Sequence, residues 1–146
     1  MDKKIIGRKE KISLPILGLS LVWAKVDTGA YTSSIHAENI IVEEVGGKRI
    51  LSFQPLMEGH KAFTVQKVYF DQFTEKIVKN SFGNVETRYL IETTIKLAGE
   101  EYLSEFTLSD RTNMRNAILL GRKTLKNRFL VDVDKVNLAR VHRIHS

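Results

Sequence analysis

Cysteine is absent from the 146 residues, which excludes disulfide cross-links, thiolate zinc sites, iron–sulfur ligation and a cysteine nucleophile. Other signatures are missing too. There is no G-x-x-x-x-G-K-[ST] loop to cradle nucleotide phosphates and no H-E-x-x-H pair to hold a hydrolytic zinc. The four histidines, His36, His60, His142 and His145, are scattered. His142 and His145 stand three apart in a basic tail and read as solvated. His36 comes nine residues after Asp27 and reads as packing near it rather than as a ligand. The residues therefore call for no cofactor and no metal. No helix-turn-helix, RNA-recognition or zinc-finger pattern occurs and basic residues do not alternate with aromatics, so nucleic acid is not an expected partner. The apolar stretch from Ile12 to Ala24 is broken by Pro15, Gly18 and Ser20 and is too short to span a bilayer. No small-x-small cleavage pattern follows it. Leu19, Leu21 and Trp23 alternate with Ser20, Val22 and Ala24, the period of a buried strand retained in a cytoplasmic protein.

What is present suits a folded domain. Hydrophobic residues make up 42% and aromatics 8% of the chain, enough for a real core, and a length of 146 residues suits one domain, 1–146, and is too short for two complete lobes. The net charge of +6 is uneven. Residues 111–146 hold nine Lys and Arg against Asp132 and Asp134, a local +7, so the first 110 residues sum to −1. This basic quarter reads as a solvated face or as the mark of an anionic partner.

Strand patterns run through most of the chain, at 3–7, 9–13, 19–26, 38–44, 48–54, 62–70, 74–80, 85–97, 101–109 and 128–133. Turn chemistry separates them at Gly46-Gly47, Glu58-Gly59, Ser81-Phe82-Gly83-Asn84 and Ala98-Gly99. One helix is predicted, after Gly121 and through Arg128, with basic residues suited to its C-terminal dipole. There is no internal repeat or linker. Closely spaced strands with one short helix indicate an all-β barrel or sandwich.

The sharpest local feature is Ala24-Lys-Val-Asp27-Thr28-Gly29-Ala30, an apolar strand running into an acid, a hydroxyl and a glycine. An acid at a strand end sits on rigid backbone yet reaches a cleft, and Gly29 admits other backbone close to the carboxylate. By itself the tripeptide is also ordinary turn chemistry. Some ninety residues on, the apolar strand Ala117-Ile118-Leu119-Leu120 ends in Gly121-Arg122 and leads into the predicted helix. An acidic strand-end loop, a hairpin, then an apolar strand ending in Gly and a short helix resemble the retropepsin-like aspartic peptidases. Further blocks, Ala24 to Ala37, Glu86 to Thr93, Leu108 to Met114, Ile118 to Arg122 and Phe129 to Asp132, are similar to the bacterial branch associated with ATP-grasp ligases. That branch includes partners of the RimK-type glutamate ligase, which modifies a ribosomal protein, and it also carries the label "ATP-dependent zinc protease".

The resemblance implies a closed all-β barrel with one short C-terminal helix, and Asp27, Thr28 and Gly29 as the catalytic loop. Aspartic peptidase chemistry needs two carboxylates about 3 Å apart, one ionised to activate water and one protonated to polarise the scissile carbonyl. The chain has one Asp-Thr-Gly and no Asp-Ser-Gly, so a homodimer with Thr28 bonding across the axis is the expectation. Ala30 offers no hydroxyl to the outer carboxylate oxygens, so the pair is expected to work at mildly acidic to neutral pH. Ser81, Phe82, Gly83 and Asn84 are the expected flap tip, with Phe82 over substrate, and Ala30 lines the cleft. In retroviral members the Arg after the Gly pairs with an acid at the position held here by Tyr31. Arg122 is therefore expected to meet another acid or the partner chain, in a structural role. The ligase association implies an acidic or glutamate-tailed peptide as substrate, with Lys76, Lys79 and Arg88 near the flap as candidate contacts. The other reading is a catalytically silent β-barrel adaptor that docks on a ligase or a ribosomal component.

Overall fold

The computed structural model describes residues 2–79 and 81–143. Its strands are β1 (Lys4–Gly7), β2 (Lys9–Leu14), β3 (Leu19–Val26), β4 (Ser33–Val45), β5 (Lys48–Pro55), β6 (Val68–Phe70), β7 (Thr74–Lys79), β8 (Val85–Leu97), β9 (Glu100–Ser109), β10 (Ile118–Leu120) and β11 (Phe129–Asp132). Two helical turns, α1 (Arg122–Leu125) and α2 (Arg140–Arg143), complete the described elements, together with a 3-10 turn at Pro15–Leu17. Strands β10, β3, β2, β8, β9 and β4 pair in that order, and β4 returns to β10, closing a six-strand barrel. Closure removes the free edges that an open sheet leaves to aggregation.

The barrel is filled by alternate residues of its strands. Ile12 and Leu14 from β2, Ile35 from β4, Ile91 and Ile95 from β8 and Phe106 from β9 all lie in one buried cluster. In β2 the burial alternates without a break, with Glu10, Ile12 and Leu14 inward, as a half-buried strand requires. β8 and β9 pair antiparallel from Leu90↔Thr107 to Leu97↔Glu100, and the positive φ of Ala98 and Gly99 makes the tight turn between them.

Three expectations are corrected. In β3 the even alternation from Leu19 fails, because Leu21 has φ 50° and the register with β2 shifts between Ile12 and Leu14. This bulge turns Leu21 outward and Val22, Ala24 and Val26 inward. Residues 62–70 are not one strand. Leu56 at φ 72° and Gly59 at φ 97° start a run of turns, and only Val68–Phe70 pairs, with β5. The single helix through Arg128 is also shorter. α1 ends at Leu125 because Lys126 is extended and Asn127 is left-handed. A second helix, α2, lies beyond it. His145 lies outside the described residues.

The C-terminal segment is secured by a buried acid. Glu10 is fully buried. Its Oε2 accepts the amide hydrogens of Gly7 at 2.7 Å and Leu138 at 2.9 Å, and its Oε1 accepts that of Ala139 at 3.0 Å. Backbone bonds from Arg8 to the Lys135 carbonyl and from Asn137 to the Lys9 carbonyl lace the same region. Parallel pairing of β1 with β11, in which Ile6 meets Val131, completes the seam. A carboxylate with three amide donors is satisfied in the core, whereas an amide would turn an NH2 against one of them. Glu10→Gln is expected to destabilise the fold by about 2 kcal/mol, read as a lower urea midpoint at constant m. An unchanged midpoint would show that the carboxylate contributes nothing.

Candidate active site

Asp27 follows β3 directly, and its position is set by backbone. β10 lies parallel to β3, with Leu120 opposite Val26, and antiparallel to β4, with Ile118 opposite Ile35. The Asp27 amide donates to the Leu120 carbonyl at 2.9 Å, continuing the ladder one residue into the loop. The loop then turns on itself. The Ala30 amide donates to the Asp27 carbonyl at 3.2 Å, and the Gly29 amide donates to Asp27 Oδ1 at 2.9 Å. A Cβ on residue 29 would lie 3.2 Å from that oxygen, so glycine keeps the carboxylate uncrowded. Asp27 is half-buried, while Thr28 and Gly29 are exposed. The acid is rigidly placed and open on one side.

α1 supports the loop from below. Its Arg122 and Lys123 amides, which have no acceptor within the helix, donate to the carbonyls of Ala30 at 2.8 Å and Tyr31 at 2.9 Å. The approach is so close that a Cβ on Gly121 would fall 2.6 Å from the Tyr31 oxygen. Behind it runs a buried hydroxyl relay. The Gly121 amide donates to Ser33 Oγ at 3.0 Å, Ser33 meets Thr124, and Thr124 Oγ1 lies 2.7 Å from Ser104 Oγ. Tyr102 donates its hydroxyl to the Thr124 carbonyl at 2.9 Å, and burial pushes that phenol above its ordinary pKa, keeping it a donor.

Arg122 meets no acid among the described residues of its own chain. Its Nη1 donates to the Thr28 carbonyl at 3.0 Å, and its guanidinium lies 5.6 Å from the Tyr31 ring centre. Tyr31 thus replaces the acid by offering a ring face to the cation. These contacts tie α1 to the Asp27 loop. Thr28 contributes its carbonyl to this support, and its side chain is exposed with no hydrogen bond to another of the described residues. Ser81, Phe82, Gly83 and Asn84 form the tip between β7 and β8, where Gly83 has φ 81° and Phe82 is 88% exposed. Of the proposed flap cations, Arg88 donates to Glu86 at 2.8 Å, and Lys76 and Lys79 lie along β7.

Sequence reasoning read His36 as packing near Asp27 but missed the cluster it forms with Glu38, Asp110 and Arg111. His36 is buried. Its Nδ1 accepts the Arg111 amide hydrogen at 2.7 Å and its Nε2 faces Glu38 Oε1 at 2.8 Å, so the ring proton sits on Nε2 and is donated to Glu38. The Asp110 carboxyl, 3.8 Å from Nδ1, is held below its ordinary pKa chiefly by hydrogen bonds from the Thr112 hydroxyl and amide. Arg111 reaches back, donating from Nε to the Asn116 carbonyl at 2.9 Å and from Nη1 to Ser34 Oγ at 3.2 Å. Burial pushes the Arg111 guanidinium below its ordinary value, and the Asp27 carboxylate pulls it back up. It stays cationic, within the field of the candidate catalytic acid. The only signals in the sequence were a histidine nine residues past Asp27 and the first cations of the basic quarter.

Zinc does not fit this cluster. Both His36 ring nitrogens are engaged by protein groups, and among the described residues no three His, Asp or Glu side chains are grouped to hold a metal. Likewise no described helix is long and apolar enough to cross a membrane.

A closed barrel with an Asp-Thr-Gly loop seated on a Gly-ended strand defines the retropepsin-like class. The model of the RimB-like family, described as "Retropepsin-like aspartic endopeptidase RimB", matches residues 5–142, and the chain belongs to that family. It is 42% identical over 132 residues to a "Probable alpha-L-glutamate ligase" of Desulfotalea psychrophila, covering 89% of this chain and 28% of that protein. A relative of the same name from Shewanella halifaxensis is 37% identical over 90% of this chain and 29% of its own length. The chain therefore spans under a third of the curated relatives it matches. Among solved structures, the crystal structure of a Legionella pneumophila protein of unknown function superimposes with a TM-score of 0.72 at 25% identity, covering 94% of this chain and 99% of that one.

The seating of α1 is directly testable. Gly121→Ala is expected to cost about 1–3 kcal/mol by overpacking against Tyr31 and to speed amide exchange at Gly29 and Ala30. Unchanged stability and exchange would show that the loop does not depend on this contact.

Proposed function

We propose that the chain is an aspartic-type endopeptidase, active as a homodimer in which the Asp27 carboxylates of two copies form the catalytic pair. The observation that carries this reading is the single Asp27-Thr28-Gly29 loop, fixed by backbone bonds to β10 and α1 and open to solvent on its outer side. One such loop supplies one carboxylate, and the chemistry needs two sharing a proton. With two copies about a two-fold axis, the ionised Asp27 takes a proton from water as it attacks the scissile carbonyl. The protonated Asp27 donates to the carbonyl oxygen, and the tetrahedral intermediate collapses as a proton passes to the leaving amine. Thr28, exposed beside Asp27, is placed to bond across the axis. The tip Ser81 to Asn84, with exposed Phe82, is the segment that closes over the peptide, and Ala30 borders the cleft.

The substrate in this reading is an acidic or glutamate-tailed peptide made by a partner ATP-grasp ligase. The relatives named probable alpha-L-glutamate ligases support it, since a region like this one shares a chain with a much longer segment in each. Those names also favour a second reading, a catalytically silent barrel that serves a ligase as an adaptor. Asp27→Asn distinguishes the two. It is expected to lower cleavage of glutamate-rich peptides at least about a thousandfold while light scattering still reports a dimer. Cleavage that survives the substitution, or an active strictly monomeric protein, would contradict the proposal.

A further inference from the structure

Beside the Asp27 loop, the junction of β1 and β2, the end of β3 and the loop after β9 line an open cleft of about 450 Å³. Its walls carry Arg8, Lys9, Lys25, Arg111 and Arg115, together with the apolar residues Val26 and Met114. Three elements distant in sequence thus bring five cations together. Among the described residues none of the five has an acidic side chain within 4.0 Å. By contrast, Lys123 pairs with Glu105 and Arg128 with Glu100. Lys9 leans over Trp23, 5.1 Å from the ring centre, Arg8 donates to the Val133 carbonyl, and Arg111 is fixed by Asn116 and Ser34. Lys25 and Arg115 are exposed.

Gathering like charges in one concavity raises its positive potential and costs self-repulsion that a bound anion relieves. Arg111 adds direction. Its backbone is held by His36 and its guanidinium by two acceptors, so part of its donor fork is ordered before any ligand arrives. Through Arg111 the cleft is continuous with the field of Asp27. We propose that this cleft is a carboxylate-binding subsite, which receives acidic side chains of the substrate peptide next to the scissile bond and so selects glutamate-rich chains. The proposal rests on the peptidase reading and places acid recognition here rather than on the flap lysines. An RNA strand is the less suitable occupant. The cleft is small, and no aromatic side chain lines it to stack a base.

Binding tests this separately from catalysis. In an Asp27→Asn background, association of a fluorescent hexaglutamate peptide is measured against the isosteric hexaglutamine peptide. Lys25→Gln with Arg115→Gln, two exposed positions, is expected to weaken hexaglutamate binding at least about tenfold and to leave hexaglutamine binding unchanged. Lys76→Gln with Lys79→Gln removes the same charge from β7 and is expected to change neither. Equal losses in the two double variants, or no hexaglutamate binding in the parent, would overturn the subsite. So would a single-stranded oligonucleotide that binds the cleft more tightly than hexaglutamate. Charge-dependent binding in a protein whose Asp27 form cleaves nothing would retain the subsite and reject the peptidase reading. Cleavage with KM for glutamate peptides unmoved by Lys25→Gln and Arg115→Gln would do the reverse.

Discussion

Three residues of β10 hold the candidate site together. The strand is short, Ile118–Leu120, yet it bonds β3 on one side and β4 on the other. By doing so it closes the barrel, extends the ladder to the Asp27 amide and delivers Gly121 against the Tyr31 carbonyl. Ile118 and Leu120 are fully buried, so the strand is fixed by the same apolar burial that fills the barrel. Asp27 is consequently placed by main chain and core, not by flexible side chains, as precise positioning of a catalytic group demands. α1 then satisfies its own free amides on the loop's carbonyls, so helix and loop each complete the other's hydrogen bonding.

The retroviral ion pair is absent, and its substitute shows how one geometric need can be met by different chemistry. Arg122 still bridges helix and loop, but through the Thr28 carbonyl and the Tyr31 ring face. A carbonyl and an aromatic face bind a guanidinium without adding a negative charge. The net field around Asp27 is thereby more positive than an acid at position 31 would leave it, and Arg111 and Lys25 act in the same direction.

Much of this was legible in the sequence, for local reasons. β3, β8 and the Asp27 loop announce themselves through short-range alternation and turn residues, and their observed bounds agree with the reading. What failed depended on backbone choices that side-chain pattern does not encode. The bulge at Leu21 reverses which residues face inward, the left-handed Asn127 ends α1, and Leu56 breaks a stretch that composition alone would extend. The cluster of His36, Glu38 and Arg111 was illegible for another reason. It forms only when β4 lies parallel to β9, His36 opposite Ser109, a pairing between segments some seventy residues apart. The basic quarter likewise divides only in three dimensions. Some of its cations are committed to nearby acids, while Arg111 and Arg115 join Arg8 and Lys25 from the other end of the chain.

The central claim is that each chain supplies half of an active site. Mixing native protein with the Asp27→Asn chain after subunit exchange tests it most directly, because mixed pairs then hold one carboxylate. The account predicts that peptide cleavage falls as the square of the native fraction. A fall in simple proportion to that fraction would mean that each chain cleaves alone, and would contradict it.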